Sequence, residues 1–159
     1  MTASRRPPRR ASRIWSLLWR LGYAWLRVTD PLIRAAWRAG GMGITVDLRV
    51  QGRRTGRPRA VLVGLIEVGG RWYVGHPNGE VGWTRNLAAA GEAEVAWPSR
   101  VSHRVRAERL PDGDERDAVI LATAHQQPFP GNLVYRAARR HILARGVYFR
   151  LEPMDESRP

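Results

Sequence analysis

The chain has 159 residues, enough for one domain with a buried core. It contains no cysteine, which excludes disulfides and thiolate metal sites. Its 27 basic residues are all arginine and its net charge is +13, which points to an anionic partner: a membrane surface, a nucleic acid or a phosphorylated ligand.

Residues 1–11, with Arg5, Arg6, Pro7, Pro8, Arg9 and Arg10, read as a disordered basic tail, because they offer almost nothing to bury. The charge is concentrated at this end: residues 1–40 hold nine Arg and one Asp, and the remainder holds eighteen Arg and thirteen acids. Arg20 and Arg27 interrupt the apolar segment that follows, which argues against a secretory signal. Residues 12–28 read as a helix with Ile14, Leu17, Leu18, Leu21, Trp25 and Val28 on one face. Trp15, Trp19 and Leu26 widen that face, and Arg13, Arg20 and Arg27 form a separate stripe. Such a helix suits a membrane interface, or equally a seam against the barrel or a second subunit. Asp30-Pro31 is a helix restart signal, so a second helix is expected to about Ala39, ending at Gly40-Gly41.

From there the pattern is that of strands. Ile44–Val50 alternates in part, and Ala60–Val68 reads as one strand. Gly69-Gly70 turns the chain into a partner strand at Arg71–Val74. Trp83–Ala90 reads as a short helix stopped by Gly91. Glu92–Trp97 and Val101–Leu110 form a hairpin across Pro98-Ser99-Arg100. Asp112 and Glu115 fit a capping box before a helix at 114–124, followed by a helix at Asn132–Ala144 and a strand at Val147–Glu152. Five or six antiparallel strands with interspersed helices predict an α+β fold, a small barrel or a strongly curved sheet. The expected layout is a tail at 1–11, a helical extension at 12–39, a barrel at 40–153 and a polar tail at 154–159.

The segment Gly52-Arg53-Arg54-Thr55-Gly56-Arg57-Pro58-Arg59 carries the most chemistry. Glycines allow close backbone approach, successive amides in such a turn can form an anion-binding concavity, and arginine forks match phosphate and carboxylate. The plainer reading is a solvated hairpin loop. His76-Pro77-Asn78-Gly79 is a turn, or a loop of backbone donors facing a ligand. Trp83 and Asn86 share a helical face. His76, His103, His125 and His141 show no i,i+4 pair and no zinc-finger spacing, so no metal site is assigned.

Together, Gly52–Arg59, the strand Val61–Val68, Trp72–Gly79 and the block Trp83-Thr84-Arg85-Asn86-Leu87 resemble the deazaflavin-dependent nitroreductase family over about residues 30–153. The resemblance implies a split antiparallel β-barrel of the flavin- and deazaflavin-reductase type, with residues 12–39 as an N-terminal amphipathic extension. It implies reduced coenzyme F-420 as hydride donor. Arg53, Arg54, Thr55, Gly56 and Arg59 would hold its anionic arm. Val61 and Val63 would line its ring, and Gly75, His76, Trp83 and Asn86 would contact the cofactor. Tyr135 would help protonate or orient a quinone-like or nitroaromatic acceptor, with Phe129 upstream. The family's loop before the Trp-x-x-Asn block is longer than His76–Gly82 and often carries a lysine, absent here. A homodimer is a further implication. No nucleic-acid motif is evident. The expected location is cytoplasmic, peripheral on the inner face of the cell membrane through residues 12–38. The competing reading is a non-catalytic cofactor- or ligand-binding split-barrel protein.

Overall fold

The computed structural model describes residues 11–99 and 101–154; the basic tail through Arg10, Arg100 and the last five residues lie outside this range. The elements run α1 (Arg13–Gly40), β1 (Thr45–Gln51), β2 (Pro58–Gly64), β3 (Ile66–Val68), β4 (Arg71–His76), α2 (Gly82–Ala90), β5 (Glu92–Ala96), β6 (Ser102–Arg109), α3 (Asp114–Gln126), α4 (Gly131–Ala137), α5 (Arg139–Arg145) and β7 (Val147–Pro153). The strands form one antiparallel, curled sheet in the order β2-β1-β5-β6-β7-β4-β3. Its two edge strands, β2 and β3, are joined in the chain by Leu65 alone.

That junction corrects the expectation of one strand at Ala60–Val68. Up to Gly64 the segment pairs with β1, and from Ile66 it pairs with β4. The Leu65 N–H bonds instead to the Ile44 carbonyl at 2.9 Å. Splitting the strand lets one segment serve both edges of the sheet, so seven strands form where five or six were expected.

Alternation then sorts the side chains. Val46, Leu48, Val50, Val63, Val74, Val95, Val105, Phe149 and Leu151 fill the barrel interior with Leu87 of α2. On the outer wall a second core joins Ile66, Tyr73 and Tyr148 to Val119 and Ile120 of α3 and Ile142 of α5. Each fully buried Val, Leu, Ile or Phe contributes roughly 1.5–3 kcal/mol relative to exposure.

Two helix expectations change. The capping box does not form: Gly113 is the N-cap of α3, with no side-chain capping bond. Asp112 instead pairs with buried Arg116 at 3.2 Å, and Glu115 accepts from the Tyr73 hydroxyl at 2.9 Å. Arg116 donates to the carbonyls of Leu143 and Gly146, satisfying acceptors at the α5 C-terminus. The expected helix at Asn132–Ala144 is divided into α4 and α5 at buried Ala138, whose φ −83°, ψ 2° leaves the helical range.

The third change is α1. Asp30-Pro31 does not restart a helix; 28 residues run through it without a break. Asp30 is used along the helix, accepting from Arg34 at 2.8 Å, and Arg34 continues to Asp47 at 3.2 Å and the Ala60 carbonyl at 3.0 Å. This chain of contacts ties the second half of α1 to β1 and β2, as does the Trp37 indole N–H donating to Thr45 O at 2.9 Å. Proline removes the donor to the Arg27 carbonyl, which lies on an exposed residue where water can serve it. The first half is held at the other end of the barrel. Ser12 N–H donates to His141 Nδ1 at 3.1 Å, Asn78 Nδ2 donates to Ser16 O at 3.3 Å, and His141 Nε2 lies 2.9 Å from Asn78 Oδ1. Trp15 and Trp19 pack against the outer core, and the Tyr23 ring lies 4.6 Å from the His76 ring.

Gly75 pairs with Tyr148 across β4 and β7, and a Cβ there would lie 2.2 Å from Cδ1 of the Tyr148 ring. Gly75→Ala should therefore lower the unfolding free energy by about 3 kcal/mol, read as a drop in urea midpoint at unchanged slope. Burial, against a weaker opposing bond to Gly79, pushes the His76 pKa from 6.5 to about 4. The unfolded chain then takes up the proton first. Stability should fall as the pH drops from about 6.5 through about 4, by up to roughly 3 kcal/mol, and His76→Gln should flatten that slope.

Candidate functional site

The β1–β2 hairpin closes on the register Gln51↔Pro58, and its tip is the arginine turn. Gly52 N–H donates to Arg57 O at 2.9 Å and Gly56 N–H to Gly52 O at 2.8 Å. Gly56 sits at φ +67°, and a Cβ at Gly52 would lie 3.0 Å from the Arg57 carbonyl, so both glycines answer to the backbone of the turn. Thr55 Oγ1 accepts the Arg57 N–H at 3.4 Å, and Gln51 Nε2 donates to Gly56 O at 3.3 Å.

The turn is docked on α2 through Arg53. Asn86 Oδ1 accepts Arg53 Nη1 at 2.8 Å and the Arg53 backbone N–H at 3.4 Å, and Nη1 also lies 3.4 Å from Gly82 O. The N-terminal turn of α2 carries no acid, and its N-cap, Val81, has no side-chain acceptor. Thr84 Oγ1 takes the Val81 N–H at 2.9 Å, leaving the following amides uncapped by side chains. This is the positive end of the helix dipole. Nearby Glu80 pairs with Arg109 and Arg85, and its carboxyl is held below the usual range chiefly by the Arg109 hydrogen bond. Arg54, Arg57 and Arg59 are exposed, and no described residue forms an ion pair with them. A cationic surface results that can accept a phosphate or carboxylate without displacing an existing acid.

The other expected residues lie elsewhere. Val61 is half-buried against the barrel interior, and Val63 is inside it. Trp83 also packs on that core, half-buried, on the α2 face shared with Asn86. Gly75 lies beneath the Tyr148 ring, and His76 is buried beneath Tyr23 with Nδ1 3.2 Å from Gly79 O. Tyr135 belongs with these: its ring meets Trp19 edge-on at 5.4 Å, and its phenol lies near enough to that of Tyr23 for each to influence the other's ionisation. Burial raises the pKa of Tyr23, Tyr135 and Tyr148 well above the ordinary tyrosine value. The structure thus joins Arg53, Asn86 and Gly82 in one site, and gathers Gly75, His76 and Tyr135 under α1.

Sequence reasoning missed Tyr23, Asn78 and His141 as members of that second cluster. Trp15, Trp19 and Tyr23 recur every four residues, an aromatic ridge opposite the Ile14 stripe, and that spacing was the available signal. Asn78 carried only a turn signal, and His141 had no partner within its own segment. A separate concavity of about 220 Å³ lies on the outer wall near Arg49, Gln51, Glu92, Glu94 and Arg104. Its arginines face acids already, Arg49 with Glu94 at 3.6 Å and Arg104 with Glu92 at 3.3 Å, so it is a poorer anion site than the turn.

No family model matches the sequence, and no curated protein matches it. Solved structures do share its architecture. A conserved hypothetical protein from Mycobacterium tuberculosis superposes with a TM-score of 0.54 at 12% identity, covering 69% of this chain and 72% of that one. A reductase dependent on reduced coenzyme F-420 gives 0.54 at 19%, covering 69% and 94%. A heme storage protein from Vibrio cholerae gives 0.55 at 16%, covering 79% and 90%. Identities this low carry the fold and nothing finer: the chain is an α+β split β-barrel with an N-terminal helix.

Proposed function

We propose that the protein is a deazaflavin-dependent reductase that binds reduced coenzyme F-420 and reduces a quinone-like or nitroaromatic acceptor. The observation that carries this reading is the docking of Arg53 onto Asn86 at the open N-terminus of α2, beside Arg54, Arg57 and Arg59, which have no acidic partner among the described residues. That donor set fits the phosphodiester and glutamate arm of the coenzyme: Arg53, Arg54, Thr55, Gly56 and Arg59 would hold it. At the ring end, Val61, Trp83 and Asn86 are only half-buried and would meet the deazaflavin, whereas Gly75 and His76 are covered by Tyr148 and Tyr23. When bound, the coenzyme supplies hydride; the protein's part is to bind it, orient it and exclude water, which needs no nucleophile. Tyr135, with its raised pKa, would orient an acceptor as a neutral hydrogen-bonding group and keep its own proton. Such acceptors partition into lipid, which suits a cytoplasmic protein peripheral on the inner face of the cell membrane.

A second reading is favoured by those buried phenols. Burial holds the Tyr23 and Tyr135 phenols protonated, which suits a split barrel that binds cofactor or ligand without turning it over. Consumption of reduced coenzyme across quinone and nitroaromatic acceptors separates the two.

Titration with coenzyme F-420 tests the shared step. Tryptophan fluorescence should be quenched saturably at tens of micromolar or less, roughly 6 kcal/mol or more of binding energy. Arg53→Ala should weaken binding by about tenfold, equivalent to about 1.4 kcal/mol, with unchanged far-UV circular dichroism. Absence of quenching in that range would remove the reductase reading and leave the second only for a different ligand.

A further inference from the structure

α1 presents a second surface that the cofactor reading does not use. Ile14, Leu17, Leu18, Leu21, Trp25, Val28 and Leu32 are each exposed, between 51% and 82%. At 100° per residue they fall within an arc of about 100° and extend along about 27 Å of helix. The arc points away from the barrel, because Trp15, Trp19, Tyr23 and Trp37 on the other side make the contacts to it. A contiguous apolar stripe of this size is not an ordinary exposed surface.

The flanks of the stripe identify the occupant. Arg13, Arg20 and Arg27, all exposed, lie along one edge between the apolar arc and the barrel. Asp30, the one acid of residues 1–40, is turned inward onto Arg34. Two copies meeting through this stripe would bring together two N-terminal segments of nine Arg and one Asp each, and like charge opposes that. An anionic bilayer neutralises the same charge while burying the same side chains. Among the described residues no helix is long and apolar enough to cross a membrane. Arginine stems can instead carry their guanidinium groups to the headgroups while the helix lies in the surface plane.

We infer that the outward face of α1, from Ile14 to Leu32, is a docking surface for an anionic lipid bilayer, with Arg13, Arg20 and Arg27 at headgroup level. This rests on the membrane part of the reading above and is independent of the coenzyme. The full chain is floated with vesicles of phosphatidylcholine containing about a quarter phosphatidylglycerol, and with pure phosphatidylcholine. The expected result is flotation with the anionic vesicles, weakened about tenfold in pure phosphatidylcholine or high salt. The variant Leu21→Asp/Trp25→Asp, changed only at exposed positions, should lose at least about tenfold in binding, while Trp25→Phe should retain it. Far-UV circular dichroism and the coenzyme titration should not change in either variant, so failure here leaves the arginine turn untouched. Three results would overturn the inference: wild type that stays with the solvent, an aspartate variant that floats equally well, or a solution dimer that this variant dissolves and that ignores vesicles.

Discussion

Closure of the barrel is the constraint from which the site follows. The strand that leaves β1 at Gly64 must join β4 at Ile66, with Leu65 alone to make the change. Both edges of the sheet are thereby held by one short stretch of chain. The turn joining β1 to β2, the end of β4 and the start of α2 consequently lie at one end of the barrel. Asn86 then accepts both the backbone and the guanidinium of Arg53, and the hairpin tip and α2 become a single cationic surface. An exposed hydrogen bond of this kind adds little to stability, so the contact matters for what it positions.

Two environments at that end divide the chemistry. The arginine turn is exposed and has no acid of its own. The cluster under α1 is closed: His76 is neutral at physiological pH, His141 is shifted down by burial and by Arg145, and three phenols are held protonated. The first environment suits an anion. The second suits an aromatic or apolar group that needs no proton from the protein. Among the described residues the buried Trp19 Nε1 finds no hydrogen-bond acceptor.

Much of this was legible in the residues. Alternation at Val46, Leu48 and Val50, glycine pairs at turns and the Gly91 stop fixed the strands and α2, because each is a local signal. The split antiparallel barrel came from the hairpin pattern together with family resemblance. The pairing of Arg53 with Asn86 was not visible, although both residues were singled out, because it depends on how a hairpin tip sits on a helix thirty residues later. The strand switch at Leu65 was hidden by an unbroken apolar run. Asp30-Pro31 misled because a capping signal gives way when Asp30 has a better partner in Arg34, itself anchored on Asp47. The stripe from Ile14 to Val28 reads off the residues, but Trp15 and Trp19, expected to widen it, turn onto the barrel beside Tyr23, because the outer core offers them burial that periodicity alone does not reveal.

The most direct measurement is a crystal structure of the protein with coenzyme F-420 bound. The account predicts the phosphodiester and glutamate arm within hydrogen-bonding distance of Arg53, Arg54 and Arg59, at the N-terminus of α2, with the ring towards Trp83. A coenzyme bound at any other place on the barrel, with those guanidinium groups left in solvent, would contradict it.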